Sequence, residues 1–206
     1  MQQIDLILAS ASPRRKELLS RVGLRPEVVP PVVDESVVGG ECPAGFAARL
    51  ASAKCRQAVE SCGAGRDRIV LAADTVVVHR ETILGKPRDR SDACRMLELL
   101  SGETHQVITA VSLHRTGSGE QVDGLGTTDV RFRDIDRRWI DWYLATGEPY
   151  DKAGAYGIQG VGAVLIHSIQ GSWANVVGLP LEMLPGWLME LGVDFRDLTG
   201  QPTRLP

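Results

Sequence analysis

Ile69-Val70-Leu71-Ala72-Ala73-Asp74-Thr75-Val76-Val77-Val78 is an apolar, largely β-branched run interrupted by a single charge. Such a run belongs in a core and reads as a central β-strand. A carboxylate left uncompensated there costs on the order of several kcal/mol, so Asp74 requires a metal, a cation or hydrogen bonds. Ala72 and Ala73 keep its neighbourhood roomy. The competing reading is a structural aspartate capped at a strand end. Alternation along the strand turns Thr75 to the opposite sheet face.

Upstream of that strand, Ile4 to Ala9 reads as a buried strand, followed by a helix from Arg14 to Val22. Ser12 suits the N-cap, Pro13 the first helical position and Gly23 the stop. Pro26 to Pro43 is a connection punctuated by proline and glycine, carrying Asp34-Glu35, and Ala44 to Cys62 reads as a helix. Downstream, a turn at Arg80-Glu81 leads to a short strand ending in Gly85-Lys86-Pro87, then a helix from Ser91 to Leu100. His105 to Leu113 and Thr127 to Phe132 read as strands joined by the polar, glycine-rich Thr116 to Gly126. Asp134 or Asp136 caps a helix through Leu144. A strand over Val164 to Ile169 and a helix over Leu181 to Leu191 complete the chain, whose last dozen residues look tail-like. Strands that alternate with helices but also form hairpins predict an α/β fold on a mixed sheet.

The 206 residues fit one domain, and a formal net charge of −3 argues against bulk nucleic-acid binding. No stretch reaches the roughly 18 apolar residues of a membrane span, and the N-terminus has no signal-peptide pattern. The cysteines (Cys42, Cys55, Cys62, Cys94) show no CxxC pair, and the histidines are scattered, which argues against zinc. A reducing, cytoplasmic compartment is expected. Of 23 basic residues only Lys16, Lys54, Lys86 and Lys152 are lysine. Where lysine persists in so arginine-rich a chain, a compact point charge is the functional reading. Lys16 reads as an ordinary exposed helix position.

Three further stretches carry chemistry. At Ser10 to Arg15 a helix N-terminus offers free N–H groups to an anion, while Arg14 and Arg15 are unfavourable in a first turn unless an anion is present. Ser10, Ser12 and Arg14 would together cradle a polyphosphate. Lys86 stands between Gly85 and Pro87, whose conformational bias projects its ammonium into a cleft or, on the competing reading, merely out of a hairpin. Glu148 to Gly160 places glycines at 154, 157 and 160 among the polar groups of Glu148, Asp151, Lys152 and Gln159. The Gln159 amide both donates and accepts, as a base edge requires. With Glu35 and Asp74 as carboxylates and Arg14, Arg15, Lys54, Lys86 and Lys152 as cations, hard oxygen ligands suit magnesium or manganese. The residues alone thus reach a metal-dependent enzyme acting on a polyphosphate.

Leu8 to Leu19 resembles the opening signature of the Maf family. Ala73-Asp74-Thr75, Leu84-Gly85-Lys86-Pro87, Leu100-Ser101-Gly102, Asp151 to Gly160, Gly171-Ser172 and Val177 to Leu181 are similar to its later motifs, in order. The resemblance implies a single Maf/ITPase-like domain of two lobes, elongated around a mixed curved sheet, with the active site in the cleft between them. It implies hydrolysis of a nucleoside triphosphate to the monophosphate and pyrophosphate. Asp74 matches the catalytic proton acceptor, and Arg14, Thr75 and Gln159 match positions for substrate choice. Asp151 to Gly160 resembles the branch acting on dTTP and UTP, with the N7-methyl-GTP branch as alternative. A non-catalytic regulator of cell division is the rival from another class. A divalent ion on Asp74 and Glu35, phosphate contacts from Ser10, Arg14, Arg15, Lys54, Lys86 and Lys152, and a homodimer complete the expectations. Trp173 departs from the family's tyrosine.

Overall fold

A computed structural model describes residues 4–63 and 65–199. In chain order it contains β1 (Asp5–Ala9), α1 (Pro13–Arg21), β2 (Glu27–Val28), α2 (Pro43–Ser61), β3 (Arg68–His79), β4 (Thr82–Leu84), α3 (Arg90–Leu100) and β5 (Thr104–Arg115). There follow β6 (Gln121–Phe132), α4 (Arg137–Ala145), β7 (Ile166–Gln170), α5 (Trp173–Val177), α6 (Leu184–Glu190) and α7 (Phe195–Leu198). Short 3-10 turns lie at Glu148–Asp151, Ala153–Ala155, Val161–Leu165 and Leu181–Met183. None of the helices among the described residues is long and apolar enough to cross a membrane.

The strands form one mixed sheet in the order β2-β1-β3-β5-β6-β7, parallel through β2, β1 and β3 and antiparallel beyond, as the alternation of strands, helices and hairpins predicts. The apolar run around Asp74 is β3, at its centre. β5 pairs with β3 without a break from Ile69 to Val78. The opposite edge is divided, because β1 pairs with Arg68 to Ala72 and β4 with Val77 to His79. Ala73 to Val76 therefore face a gap between two partner strands. Asp74 sits in that gap.

Alternation sorts β3 onto two faces. Val70, Ala72, Val76 and Val78 pack under α2 through Phe46, Leu50, Cys55 and Ala58. Burial pushes the Cys55 thiol up to about 11, so it behaves as a small apolar side chain. The opposite face carries two clusters. Ile69, Leu71 and Ala73 pack with α1 and α6 residues such as Leu18 and Leu188, whereas Val77 packs with α3 and α4 residues such as Leu97 and Tyr143. Segment 151–160 crosses the seam, since Ala155 and Tyr156 join one cluster and Ile158 the other.

Several local readings need correction. Residues 121–126, read as part of a polar connection, belong to β6. Their glycines mark close approach, not a loop: a Cβ on Gly124 would stand 2.1 Å from the Trp187 ring, and one on Gly126 would stand 2.6 Å from Asn175 Oδ1. Residues Val161–Leu165 form a 3-10 turn, so β7 begins only at Ile166. Ser12 takes the N-cap position of α1, but its side chain makes no capping bond. α5, capped by Ser172, was not foreseen, and the helix expected over 181–191 is a 3-10 turn followed by α6. The expected tail holds α7, and its end from 200 lies outside the described residues.

The β3–β4 hairpin turns through Arg80 (φ 47°) and Glu81 (φ 66°), both in the left-handed region. That is the type I′ geometry, which favours Asn-Gly and costs other residues of order 1 kcal/mol each. The double substitution Arg80→Asn, Glu81→Gly is expected to stabilise the protein by about 1 kcal/mol, a rise of about 2–4 °C in Tm. Thermal unfolding checks this; an unchanged or lower midpoint would show that the Arg80–Glu103 ion pair, at 3.3 Å, outweighs the strain.

Candidate active site

Asp74 is 9% exposed, as its place in an apolar strand requires. Its charge is met by α2: Lys54 Nζ donates to Asp74 Oδ1 at 2.7 Å. The same ammonium lies 2.6 Å from Glu35 Oε1, in the connection before α2. Lys54, expected at the phosphates, is thus held between two carboxylates, hydrogen-bonded to Asp74 and ion-paired with Glu35. Burial raises the Asp74 carboxyl above its ordinary value, and it does so against Lys54 and Arg15, which pull the other way. A carboxyl held so takes up a proton more readily than an exposed aspartate does.

Glu35 and Asp74 were singled out as metal ligands, and one side chain brings them together. Among the described residues there is no group of three or more His, Cys, Asp and Glu side chains able to hold a metal. A pair of hard carboxylates still fits magnesium or manganese, because such ions take one or two carboxylates and complete their shell with phosphate and water. The positive Lys54 between the carboxylates marks where their negative charges converge.

On the other face of β3, Arg15 is buried and engaged with protein on three sides. Its Nη1 donates to Ser10 Oγ (3.0 Å), its Nη2 to Thr75 Oγ1 (3.0 Å) and its Nε to the Gly178 carbonyl (2.8 Å). Burial pushes the guanidinium below its ordinary value, and Asp74 partly restores it. Arg15 therefore ties α1, β3 and the end of α5 together at the seam. Two N–H groups remain for an anion. Ser10, 5% exposed, also accepts from Ser12 N at 3.2 Å.

Arg14 points across to segment 151–160, where its Nη1 donates to Asp151 Oδ2 at 3.0 Å. Lys152 Nζ donates to Asp151 Oδ1 (2.6 Å) and to the Glu148 carbonyl (2.7 Å). Asp151 thus sets two of the expected phosphate cations side by side. Glu148 shapes the segment: it accepts from Tyr143 Oη (2.9 Å), Val161 N (2.7 Å) and Gly162 N (3.1 Å). A Cβ on Gly160 would meet it at 2.2 Å. Gly154 (φ 69°) donates its N–H to the Gly85 carbonyl at 3.1 Å, which docks the segment beside the Gly85-Lys86-Pro87 turn. Lys86 is exposed there, and Gln159 is half-buried; neither side chain has a polar partner among the described residues.

The sequence reading missed Thr109, Asn175 and Tyr143 as organisers of this region. Glu148, read as one of the polar groups around the glycines, is the residue that braces them. His105 belongs elsewhere, its imidazole pushed down to about 3 by burial beside Tyr156 Oη at 2.7 Å.

Fold and site define an α/β protein with a buried carboxylate on a lysine, faced by arginines and lysines, at the seam of its central strand. The chain belongs to the Maf family, whose model, described as Maf-like protein, matches residues 5–191. It is 51% identical over 179 residues to a protein named dTTP/UTP pyrophosphatase of Anaeromyxobacter sp. (strain Fw109-5), covering 85% of this chain and 84% of that one. A protein of the same name from Symbiobacterium thermophilum is 51% identical over 193 residues, 93% and 95% of the two chains.

Proposed function

We propose that this chain hydrolyses dTTP and UTP between the α- and β-phosphates, giving the nucleoside monophosphate and pyrophosphate. The observation that carries this reading is the buried Asp74, raised above its ordinary value by burial and bonded to Lys54 at 2.7 Å. A carboxylate in a core strand is otherwise hard to justify. The names and identities of the relatives support the choice of substrate.

In the mechanism, the Asp74 carboxylate accepts a proton from a water molecule. The water oxygen bonds to the α- or the β-phosphorus, that phosphorus loses its bond to the bridging oxygen, and the monophosphate and pyrophosphate separate. Arg14, Lys86, Lys152 and the free N–H groups of Arg15 and Lys54 neutralise the triphosphate, and Ser10 lies at the same helix entry. Held by Asp74 and Glu35, a magnesium or manganese ion would add charge neutralisation to the phosphates. Gln159 reads the base, with Arg14 and Thr75. All four cysteines are free, which supports a reducing, cytoplasmic compartment.

The test is a nucleotide panel with magnesium or manganese, scored for pyrophosphate release. dTTP and UTP are expected to be turned over at least about tenfold faster, by kcat/KM, than purine triphosphates, because one mispaired polar edge costs about 1–3 kcal/mol. Preference for N7-methyl-GTP would move the chain to the other branch. Tight nucleotide binding without pyrophosphate release would make it a regulator.

A further inference from the structure

Thr75 Oγ1, Thr109 Oγ1 and the Asn175 carbonyl oxygen stand in a row inside the protein, with gaps of 3.0 and 3.1 Å. Each gap is a hydrogen-bond distance and needs one proton between its oxygens. The carbonyl has none to give, so the two hydroxyls must supply both. One arrangement satisfies the row: Thr109 donates to Asn175, and Thr75 donates to Thr109. Arg15 Nη2 then donates to Thr75 Oγ1 at 3.0 Å. The row cannot rearrange, because Thr109 and Asn175 are 0% exposed and the Asn175 amide is held by its bonds to the Val107 carbonyl and Thr128 Oγ1, both 3.0 Å.

Thr75 is half-buried, and its hydroxyl has thus given away its only proton and keeps one lone pair. We infer that Thr109, braced by Asn175, is a positioning residue that fixes Thr75 as a hydrogen-bond acceptor toward substrate, so that Thr75 reads a donor on the nucleoside. Polyphosphate oxygens are acceptors and cannot satisfy it. This rests on the proposed function, and it narrows the contact further. A donor common to dTTP and UTP is either the ring N3–H or the 3′-hydroxyl, since the 2′-hydroxyl is absent from dTTP.

The experiment compares UTP with CTP, whose N3 is an acceptor, and with 3′-O-methyl-UTP, whose 3′ oxygen has no proton. Wild type is expected to discriminate against one of the two by at least about tenfold in kcat/KM, the penalty of an unpaired polar contact. The analogue whose rejection Thr109→Val relieves identifies the donor. Thr109→Val frees the Thr75 proton, and it leaves the Asn175 carbonyl its second bond, from Gly178 N at 3.0 Å. That variant should raise turnover of the rejected analogue and bring its ratio to UTP toward one, whereas Thr109→Ser should keep the wild-type ratio. A gain on a poor substrate is not what structural damage produces. Thr109→Ala is made in parallel, so that the comparison survives a folding failure of the valine variant. Kd values for the α,β-methylene analogues of UTP, CTP and 3′-O-methyl-UTP give the same ratios without turnover. That pattern in Kd with no pyrophosphate release would retain the inference and sink the proposed activity. Equal treatment of all three nucleotides by wild type, or a ratio unmoved in the folded valine and alanine variants, would overturn it.

Discussion

Asp74→Asn is expected to slow pyrophosphate release by about 10²–10⁴-fold while leaving the thermal midpoint at neutral pH unchanged or higher. The first half follows from removing the group that accepts the proton. The second follows from the direction of its titration. Burial holds the Asp74 carboxyl above its ordinary value even with Lys54 at 2.7 Å. A carboxyl raised in the folded state holds its proton more tightly there than in the unfolded chain. Stability is then lost as pH rises from the ordinary aspartate value through the raised one. Above the raised value the ionised Asp74 costs stability, and a neutral amide of the same shape removes that cost. Lys54 keeps its ion pair with Glu35, at 2.6 Å, so no ammonium is left buried alone. Rates and melting curves at pH 5 and pH 8 check both halves. Near-normal turnover would remove Asp74 from the chemistry, and a large drop in Tm would make its role structural.

The central strand, the helix before it and the hairpin after it were legible because each rests on a local signal. A β-branched apolar run of that length reads as a central strand, and the charged Arg80-Glu81 separates it from the short strand that follows. Glycine misled at 124 and 126, where the same residue that permits a turn instead admits Trp187 and Asn175 against a strand. Local sequence cannot separate those uses, since the partner arrives from more than 40 residues away, in α5 and α6.

The site was legible by charge and opaque by partner. Asp74 stood out because a carboxylate breaks an apolar run, and Arg14 and Arg15 because cations crowd a helix start. Their bonding was not visible: Arg15 spends three N–H groups on Ser10, Thr75 and Gly178, and Lys54 is held between the carboxylates of Asp74 and Glu35. Thr109 carried no signal at all, being a neutral residue at an ordinary strand position. Its effect depends on the β3–β5 register that sets it opposite Thr75.

Lys54→Met should move the acid limb of the pH–rate profile to higher pH and destabilise the protein most at alkaline pH. Lys54 is the nearest positive charge on Asp74, and its side chain is 11% exposed against 12% for its partner, so water screens the pair little. Without the ammonium, burial and the neighbouring Glu35 both push the carboxyl further up. Hydrolysis needs the carboxylate, so activity at pH 6 should fall by a larger factor than activity at pH 9. Stability moves the opposite way along the same axis. At low pH Asp74 is protonated, and methionine packs beside a neutral acid. As pH rises through the raised value, the acid must ionise without its partner, and removing one member of a buried pair costs about 3–5 kcal/mol. For a chain of this size that lowers Tm by about 6–20 °C at alkaline pH. A rate loss of equal factor at pH 6 and pH 9 would mean that Lys54 serves the phosphates and not the base. A Tm difference independent of pH would show that its contribution is packing of the aliphatic stem, not charge.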